Sequence, residues 1–323
     1  MKNIFNVKNL EKIKWIPFIF SCTSVFAAPP IVFFEESFED ANLGSRGWYD
    51  NTTVVITSSE HAPGDSTSSA QFTYNQGSQT PTSGGSIRKS FAETEEIYVS
   101  YYVKYSANWQ GSNLPYHPHE FYLLTNLNGA WDGLSDTYMT AYIEQNEGVP
   151  RIAIQDSRNI DESNIGTNLT NITENRAAAG CNGAGGAAVG NDDCYQYGGP
   201  SDHRNEAIWT VNQVYFGDSA GLYYKNDWHR VEAYLKMNTV TAGRGNFDGI
   251  VQYRFDGELI INHNNLLFRT AQNPNMMFDM LAIGPYIGAG SPITQTMWVD
   301  NLVVATSRMD DVRPMPPSNL SAE

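Results

Sequence analysis

Alternating apolar and polar residues are the main pattern along this chain. From Tyr98 to Tyr105, Val99 and Val103 share one parity, and Ser100 and Lys104 share the other. A period of two is typical of a β-strand with one buried face. The same signal predicts strands at Ile31 to Phe38, Ile87 to Phe91, Tyr98 to Tyr105, His117 to Thr125, Tyr138 to Gln145, Arg151 to Gln155, Trp228 to Met237, Gly249 to Phe255, Glu258 to Ile261, Met277 to Ile283 and Met297 to Ala305.

These strands predict an all-β domain, because no segment has the length and period of an amphipathic helix. Phe255-Asp256-Gly257-Glu258 predicts a two-residue hairpin, since Asp-Gly tolerates positive φ at both central positions. Many alternating strands indicate two antiparallel sheets packed face to face as a β-sandwich. One sheet of such a sandwich is often curved, so we expect a concave groove that suits a chain-like ligand.

The two ends of the chain differ from this central domain. Residues 1–27 combine a lysine-rich start, an apolar stretch and Val25-Phe26-Ala27, a pattern that predicts a secretory signal cleaved after Ala27. The alternative is a lipoprotein attached through Cys22. Residues 28–306 form the predicted domain, and residues 307–323 are a proline-rich tail or linker. The protein is therefore expected to be secreted or periplasmic.

One long internal segment, residues 159–221, has little periodicity and is rich in Asn, Gly and Ala. A loop of this length is usually a functional lid or wall, or else disordered. It contains Cys181 and Cys194, the two cysteines that remain once the signal is removed. An isolated pair in an exported protein most simply forms one disulfide.

The composition and net charge of the chain restrict the classes of molecule that it is expected to bind. The chain contains 27 Gly and 12% aromatic residues but only 17% charged residues, which suits strands joined by turns. The formal net charge of −15 argues against nucleic acid or an anionic membrane surface as the partner. An acidic polysaccharide is not excluded, because a local basic cleft can lie on an acidic protein. No apolar stretch is long enough to span a bilayer.

Several short motifs occur in an order that resembles a known family. They are Glu36-Ser37-Phe38-Glu39, Trp228-His229-Arg230-Val231-Glu232, Lys236-Met237-Asn238, the Phe255-Asp256-Gly257 hairpin and Trp298-Val299-Asp300-Asn301. Together they resemble the concanavalin A-like jelly roll, and specifically its polysaccharide lyase branch, which includes glucuronan lyases, alginate lyases and heparin lyase I. The resemblance covers about residues 31 to 305. The same fold also hosts lectins, glycoside hydrolases and binding modules.

Polar side chains of matching parity could line one groove on this scaffold. In the strand from Arg230 to Met237, the apolar residues share one parity and the charged and phenolic residues share the other. If neighbouring strands contribute their polar faces to the same sheet, that face collects Arg88, Tyr142, Glu144, Arg151, Gln155, Arg230, Glu232, Tyr234 and Lys236. The alternative for each residue is an ordinary solvated strand face.

The most specific local signal is Tyr116-His117-Pro118-His119-Glu120. Two histidines at the start of a strand can ligate a metal or place a general base near neutral pH. Phe121 and Leu123 share the parity of the histidines, which would instead bury them. We prefer His119 over His117 as the base.

The resemblance implies a mechanism of β-elimination on a uronic-acid polymer. A cation or amide neutralises the C6 carboxylate, a base removes the C5 proton, and an acid protonates the departing O4. Arg88 or Arg151, together with Gln155, are the expected neutralising groups. His119 is the expected base and Tyr234 the acid, although tyrosine could serve in both roles. The chain lacks the Arg-x-Glu-x-Arg and Gln-Ile-His motifs of alginate lyases.

The chain ends suggest a calcium site. Glu36, Glu39 and Asp300 lie on strands that commonly neighbour each other in this fold, and carboxylate oxygens suit Ca²⁺. The alternative is ordinary surface acids. We expect a monomer.

Two other functions compete with a lyase. One is non-catalytic, lectin-like carbohydrate binding on the same scaffold. The other is glycoside hydrolysis by Glu144 and Glu232, which requires their carboxyl groups to lie within about 10 Å of each other. The Glu-x-Asp-x-x-Glu strand of jelly-roll glucanases is missing.

Overall fold

The structure is a computed structural model with almost exclusively β secondary structure. Its only helical element in the described part of the chain is a short 3-10 helix, Leu43–Arg46. The described residues are 29–50, 53–82, 85–114, 118–126, 137–156, 193–196 and 203–309. Within them no helix is long and apolar enough to cross a membrane.

Sheet A has eight strands and contains both the first and the last strand of the domain. Its antiparallel order is β16 (Glu258–Leu266), β15 (Gly249–Phe255), β12 (His229–Lys236), β6 (Glu96–Tyr105), β18 (Gln295–Ala305), β4 (Ser69–Tyr74) and β3 (Val55–Thr57), with β1 (Val32–Glu36) also paired to β18.

Sheet B also has eight strands. Its order is β10 (Asp193–Gln196), β11 (His203–Thr210), β9 (Val149–Asp156), β8 (Met139–Asn146), β7 (His119–Thr125), β17 (Phe278–Tyr286), β5 (Ile87–Thr94) and β2 (Tyr49–Asp50). A separate two-stranded ribbon consists of β13 (Val240–Thr241) and β14 (Arg244–Gly245).

A continuous apolar core lies between the two sheets. Sheet A contributes Val231 and Leu235, and sheet B contributes Phe121 and Ile143, all fully or almost fully buried. The rings of Tyr101 in sheet A and Phe121 in sheet B stack with centroids 4.0 Å apart. Burying each large apolar side chain stabilises the fold by roughly 1.5–3 kcal/mol. The predicted two-sheet antiparallel sandwich of the jelly-roll type is therefore confirmed.

The hairpin between β15 and β16 has the predicted geometry. Asp256 and Gly257 occupy its two central positions with φ of 48° and 86°. Few residues other than Asn, Asp and Gly accept these angles readily. This turn therefore sets the two pairs next to it, Phe255 with Glu258 and Arg254 with Leu259, before the register shifts at Tyr253.

The segment 159–221 is not a simple loop. Strands β10 and β11 lie within it, and both belong to sheet B. Ala207 and Trp209 are buried in the core, while Ile208 packs against the opposite face of the sheet. The expectation of an entirely irregular segment is wrong, because polar residues at the start of β11 hide the alternation that begins at Ala207.

Several predictions concern residues outside the described part of the chain. The signal segment 1–27 with Cys22, His117, Cys181 and residues 310–323 of the predicted tail all lie there. Cys194 lies in β10, which is described only as backbone. The signal, the lipoprotein alternative and the disulfide thus stay predictions.

Candidate active site

The outer face of sheet B, which points away from the core, carries a second apolar cluster. Its buried members are Tyr122, Leu124, Tyr142, Ala153, Met280 and Ala282. Four of these form one row across neighbouring strands, since Ala153 is paired in register with Tyr142, Tyr142 with Tyr122, and Tyr122 with Ala282. We call these six residues the tyrosine patch.

Small residues make room for the tyrosine rings. A Cβ atom added to Gly284 would lie 2.5 Å from Cε2 of Tyr122, so only glycine fits beneath this ring. The rings of Tyr122 and Tyr142 meet edge to face with centroids 5.1 Å apart. Burial raises the pKa of Tyr122 well above its usual value, and the nearby Tyr142 and Glu144 add to the shift. Tyr122 therefore stays neutral and serves as part of the floor.

His119 lies against the tyrosine patch and bonds to a buried carboxylate. Its Nδ1 is 2.7 Å from Oε2 of Glu144, and its ring stacks on Tyr142 with centroids 4.4 Å apart. The histidine side chain is 23% exposed, whereas that of Glu144 is 0% exposed. The imidazole is thus fixed on one side by Glu144 and accessible on another.

The parity of β7 does not predict this position. Simple alternation places His119 with Phe121 on the core side, but the pairing of β7 with β17 shifts register between Ile283 and Tyr286. Glu120 turns inward instead and accepts a hydrogen bond from Tyr105 Oη at 2.7 Å. The imidazole of His119 thus lies on the outer face, against Tyr142, at the point where the pairing of β7 with β17 is irregular.

Glu144 is the electrostatic centre of the site. Arg151 donates from Nε to Oε1 of Glu144 at 2.6 Å, and its Nη2 also bonds to that oxygen. Burial opposes ionisation of Glu144, but Arg151 and His119 outweigh it and lower the pKa of Glu144 to about 2. Because an ionised carboxylate can only accept hydrogen bonds, His119 donates to it from Nδ1, and Nε2 is the ring nitrogen that does not face Glu144.

Arg88 and Gln155 lie on the same sheet but further from His119. Arg88 is paired in register with Ala282, three strands from β8, which places it about 14 Å from Tyr142 at the usual strand spacing. Its guanidinium bonds to Asp50 and lies 5.3 Å from the ring centroid of Tyr49. Gln155 is paired with Thr140 of β8. The side chain of Gln155 lies outside the described part of the chain.

Tyr286 is a candidate that the sequence pattern did not single out. It is paired in register with His119 and is partly buried. Its phenol is close enough to Tyr122 to raise the pKa of that residue further. The predicted strand ended at Ile283 because Gly284-Pro285 is a typical breaker, so Tyr286 fell outside it. The sequence pattern could have identified Tyr122 as a residue of the outer face, since its parity in β7 is opposite to that of the core residue Phe121.

The predicted polar face of β12 lies on the other sheet. Glu232 is buried and accepts hydrogen bonds from Tyr98 Oη at 2.7 Å and from Arg308 Nε at 3.0 Å. Arg230 Nη2 lies 3.6 Å from Oε1 of Glu232. These groups form the outer face of sheet A, because Val231 and its parity partners point into the core.

Two further β12 residues are bound to Glu96 of β6. Tyr234 Oη donates to Oε2 of Glu96 at 2.8 Å, and Lys236 Nζ lies 3.4 Å from the same oxygen. Burial and the Glu96 carboxylate raise the pKa of Tyr234. Tyr234 is therefore a poor proton donor, and Glu96 already accepts its proton in a hydrogen bond.

The predicted single groove is therefore wrong. Arg88, Tyr142, Glu144, Arg151 and the backbone of Gln155 belong to sheet B, whereas Arg230, Glu232, Tyr234 and Lys236 belong to sheet A. The core separates the two outer faces. The backbones of two packed sheets are about 10 Å apart, so side chains on the two outer faces lie farther apart than that. Strand alternation alone could not reveal this division.

Two functional pairings fail for the same reason. His119 and Tyr234 cannot act as base and acid on one sugar, because they lie on opposite faces of the sandwich. Glu144 and Glu232 cannot form the carboxylate pair of a glycoside hydrolase, since such a pair must flank one glycosidic bond. Glycoside hydrolysis by these residues is thereby excluded.

The three residues predicted to bind calcium do not share one set of free oxygens. Both carboxylate oxygens of Glu36 are occupied by donors from Arg46, with Trp48 Nε1 at 2.9 Å as a further donor. Glu39 and Asp300 instead meet at the hydroxyl of Ser66, 3.1 Å and 2.6 Å away. Among the described residues, no group of three or more His, Cys, Asp or Glu side chains is arranged to hold a metal ion. Calcium binding stays a prediction that this arrangement does not favour.

Comparison with known proteins supports the fold. No protein-family model matches the chain, and no curated protein matches it either. Among solved structures, alginate lyase vAL-1 from Chlorella virus is 16% identical with a TM-score of 0.52, and the match covers 85% of this chain and 100% of that one. The marine PL-14 alginate lyase from Aplysia kurodai is 12% identical with a TM-score of 0.51, covering 85% and 99%. The chain thus has the fold of these polysaccharide lyases over most of its length.

Proposed function

We propose that this protein is a polysaccharide lyase that cleaves a uronic-acid-containing polymer by β-elimination on the outer face of sheet B. The observation that carries the proposal is the arrangement of His119, Glu144 and Arg151 on the tyrosine patch. The shared fold of the two alginate lyases supports the reaction class.

The residues of this face match the demands of the reaction. His119 Nε2 removes the C5 proton of a uronate, and the electrons form the double bond between C4 and C5 while the bond from C4 to O4 breaks. Glu144 stabilises the imidazolium that results, because it stays ionised beside it. Proton removal from carbon is thus assisted by one histidine that Glu144 holds in position.

Arg151 and Tyr286 take the two remaining roles. A guanidinium carries five N–H donors, and Arg151 uses Nε and Nη2 on Glu144, so other N–H groups of Arg151 can bind the C6 carboxylate of the sugar. Tyr286, paired with His119 in register, protonates the departing O4. The tyrosine patch provides aromatic surface on which sugar rings can pack.

The cellular setting belongs to the same proposal. The predicted signal in residues 1–27 would deliver the enzyme outside the cytoplasm, where such polymers occur. The acidic net charge of the chain, −15, gives no long-range attraction for a uronate polymer, so binding depends on short-range hydrogen bonds from groups such as Arg151.

The test is a panel of alginate, glucuronan, pectate, ulvan and glycosaminoglycans, assayed for the ultraviolet absorbance of unsaturated uronates. His119→Ala should reduce the rate on the best substrate by about 10²–10⁴-fold. Tyr234→Phe on the opposite face is the matched control and should leave the rate unchanged. Retention of a polymer without any unsaturated product would contradict the lyase and indicate a carbohydrate-binding protein.

A further inference from the structure

A pocket opens at the end of the sandwich where β8 turns into β9. Its volume is about 550 Å³, within the range of small-ligand sites. Three segments line it, namely the loop after β6, the β8–β9 turn and the segment after β11. Its polar and charged lining residues are Asn108, Gln110, Asn113, Gln145, Glu147, Asp218 and Lys225, and Trp109 and Phe216 add aromatic surface.

The first wall is tied to sheet A. The side-chain amide of Gln295 in β18 accepts hydrogen bonds from the backbone of Gln110 at 2.7 Å and Gly111 at 3.1 Å. Asn108 Nδ2 donates to the carbonyl of Thr294 at 2.9 Å. The loop after β6 is therefore held in place before any ligand arrives.

The second and third walls are tied to each other. The carbonyl of Gly148 accepts from the backbone of Tyr215 at 2.8 Å and Phe216 at 3.0 Å. Gly148 has φ of 77°, and a Cβ atom there would lie 2.5 Å from the carbonyl oxygen of Phe216. Only glycine permits this close approach, so the pocket is a fixed feature of the fold.

The lining is polar, and among its described residues the one cation, Lys225, is paired with a carboxylate. Lys225 is 5% exposed, and its ammonium bonds to Asp218 and to the carbonyl of Trp109. Glu147 is exposed at the rim and adds a second carboxylate. Two carboxylates and one ammonium disfavour a uronate. The side-chain amides and the carboxylate of Glu147 are suited to sugar hydroxyls.

This pocket is close to the proposed reaction centre. Gln145 lines it and directly follows Glu144 in β8. Glu147 lies three positions after Glu144, and an extended chain of that length spans at most about 11 Å. Gln145 points inward to Glu120 whereas Glu144 points outward to His119, so a sugar chain has to pass around this end of sheet B to contact both sites.

We propose that this pocket binds an uncharged sugar of the polymer while His119 acts on a neighbouring uronate. The proposal rests on the lyase function and specifies its substrate class: a mixed polysaccharide in which uronates alternate with uncharged sugars. The polar pocket and the arginine-containing face would then recognise different units of one chain.

The test compares two groups of polymers. Alginate, glucuronan and polygalacturonate consist of uronates alone, whereas heparosan, hyaluronan and gellan place uncharged sugars beside them. We expect the highest kcat/KM on a polymer of the second group, by at least tenfold. The highest kcat/KM on a polymer of the first group would overturn the proposal.

Variants of the lining identify the pocket itself. The double variant Gln110→Ala with Asn113→Ala should raise KM for the best mixed polymer about fivefold or more and change kcat less than twofold. Glu147→Lys should shift the preference toward pure polyuronates by about tenfold. Asp65→Lys, the same charge change at an exposed position in a loop outside the pocket, is the control and should shift nothing. If KM and the preference between mixed polymers and pure polyuronates stayed unchanged in all variants, the proposal that this pocket binds a sugar would be wrong.

Binding of the protein to immobilised polymers tests the pocket independently of the lyase activity. If no polymer is cleaved, retention on immobilised heparosan, hyaluronan and gellan tests the pocket alone. Retention of the wild type on one of them, with release of the double variant, would support the pocket while the lyase fails. Equal behaviour of both proteins on all three would overturn the pocket.

Discussion

The two outer faces of this sandwich use the same residue types with different results. Each face holds a buried glutamate, Glu144 in sheet B and Glu232 in sheet A, beside tyrosine and arginine. Glu144 bonds to a partly exposed histidine, whereas Glu232 bonds to Tyr98 and Arg308, which keep their protons near neutral pH. A buried carboxylate alone does not make a catalytic face. The residue that it binds decides whether that face has a group that can exchange protons with a substrate.

Hydrogen bonding of the two carboxylates differs as well. Both oxygens of Glu144 have partners, Arg151 on one and His119 on the other. Oε2 of Glu232 is buried and has no hydrogen-bond partner among the described residues. The carboxylate of Glu144 is therefore held at both oxygens, which is a condition for a preorganised site.

The largest expected effect is on catalysis. Glu144→Gln removes the charge that stabilises the imidazolium of His119 and should lower kcat about 10³-fold. Glu232→Gln is the matched change on the opposite face and should leave kcat within twofold. Steady-state kinetics on the best polymer measures both variants. An equal loss of kcat in the two variants would contradict the assignment of catalysis to the sheet B face alone.

A second effect is on stability. Arg151→Ala leaves the buried Glu144 without its strongest partner and should cost about 3–5 kcal/mol of unfolding free energy. Arg308→Ala removes a half-exposed partner of Glu232, 36% accessible, and should cost about 1 kcal/mol or less. Urea unfolding followed by fluorescence measures both values. A larger loss for Arg308→Ala would reverse the comparison.

The acid response should also distinguish the faces. The pKa of Glu144 is about 2 in the folded protein against a usual value of 4.5, so its ionised form favours folding above pH 4.5. That contribution, up to about 3 kcal/mol, is lost as the pH falls from 4.5 toward 2. The unfolding free energy of Glu144→Gln should therefore depend less on pH across this window than that of the wild type. If the unfolding free energies of the wild type and the variant changed equally with pH in this window, Glu144 would not be the source of this contribution.

The smallest effect is expected for Tyr234→Phe. The change removes the hydrogen bond to Glu96 and should lower the unfolding free energy by about 1 kcal/mol. Because Tyr234 lies on sheet A, the rate of polymer cleavage should not change. A loss of activity at unchanged stability would place the reaction on the sheet A face instead.

Local sequence predicted most of the strands and one turn. Val231 and Leu235 point into the core as their parity indicated, and Asp256-Gly257 forms the expected hairpin. Both features depend on the sterics of a few adjacent residues. The same local rule missed Tyr286, because Gly284-Pro285 normally ends a strand yet here continues one.

Sequence by itself determined which residues share a face in regularly alternating strands such as β12, because alternation is a property of neighbouring positions. Only the tertiary structure decided which sheet each strand joins: β8 and β12 have the same alternation, but β8 pairs with β7 and β9 while β12 pairs with β6 and β15. It also decided that His119 lies on Tyr142, where the pairing of β7 with β17 is irregular. Strand pairing depends on contacts between residues far apart in the chain, so the periodicity of a single strand cannot specify it.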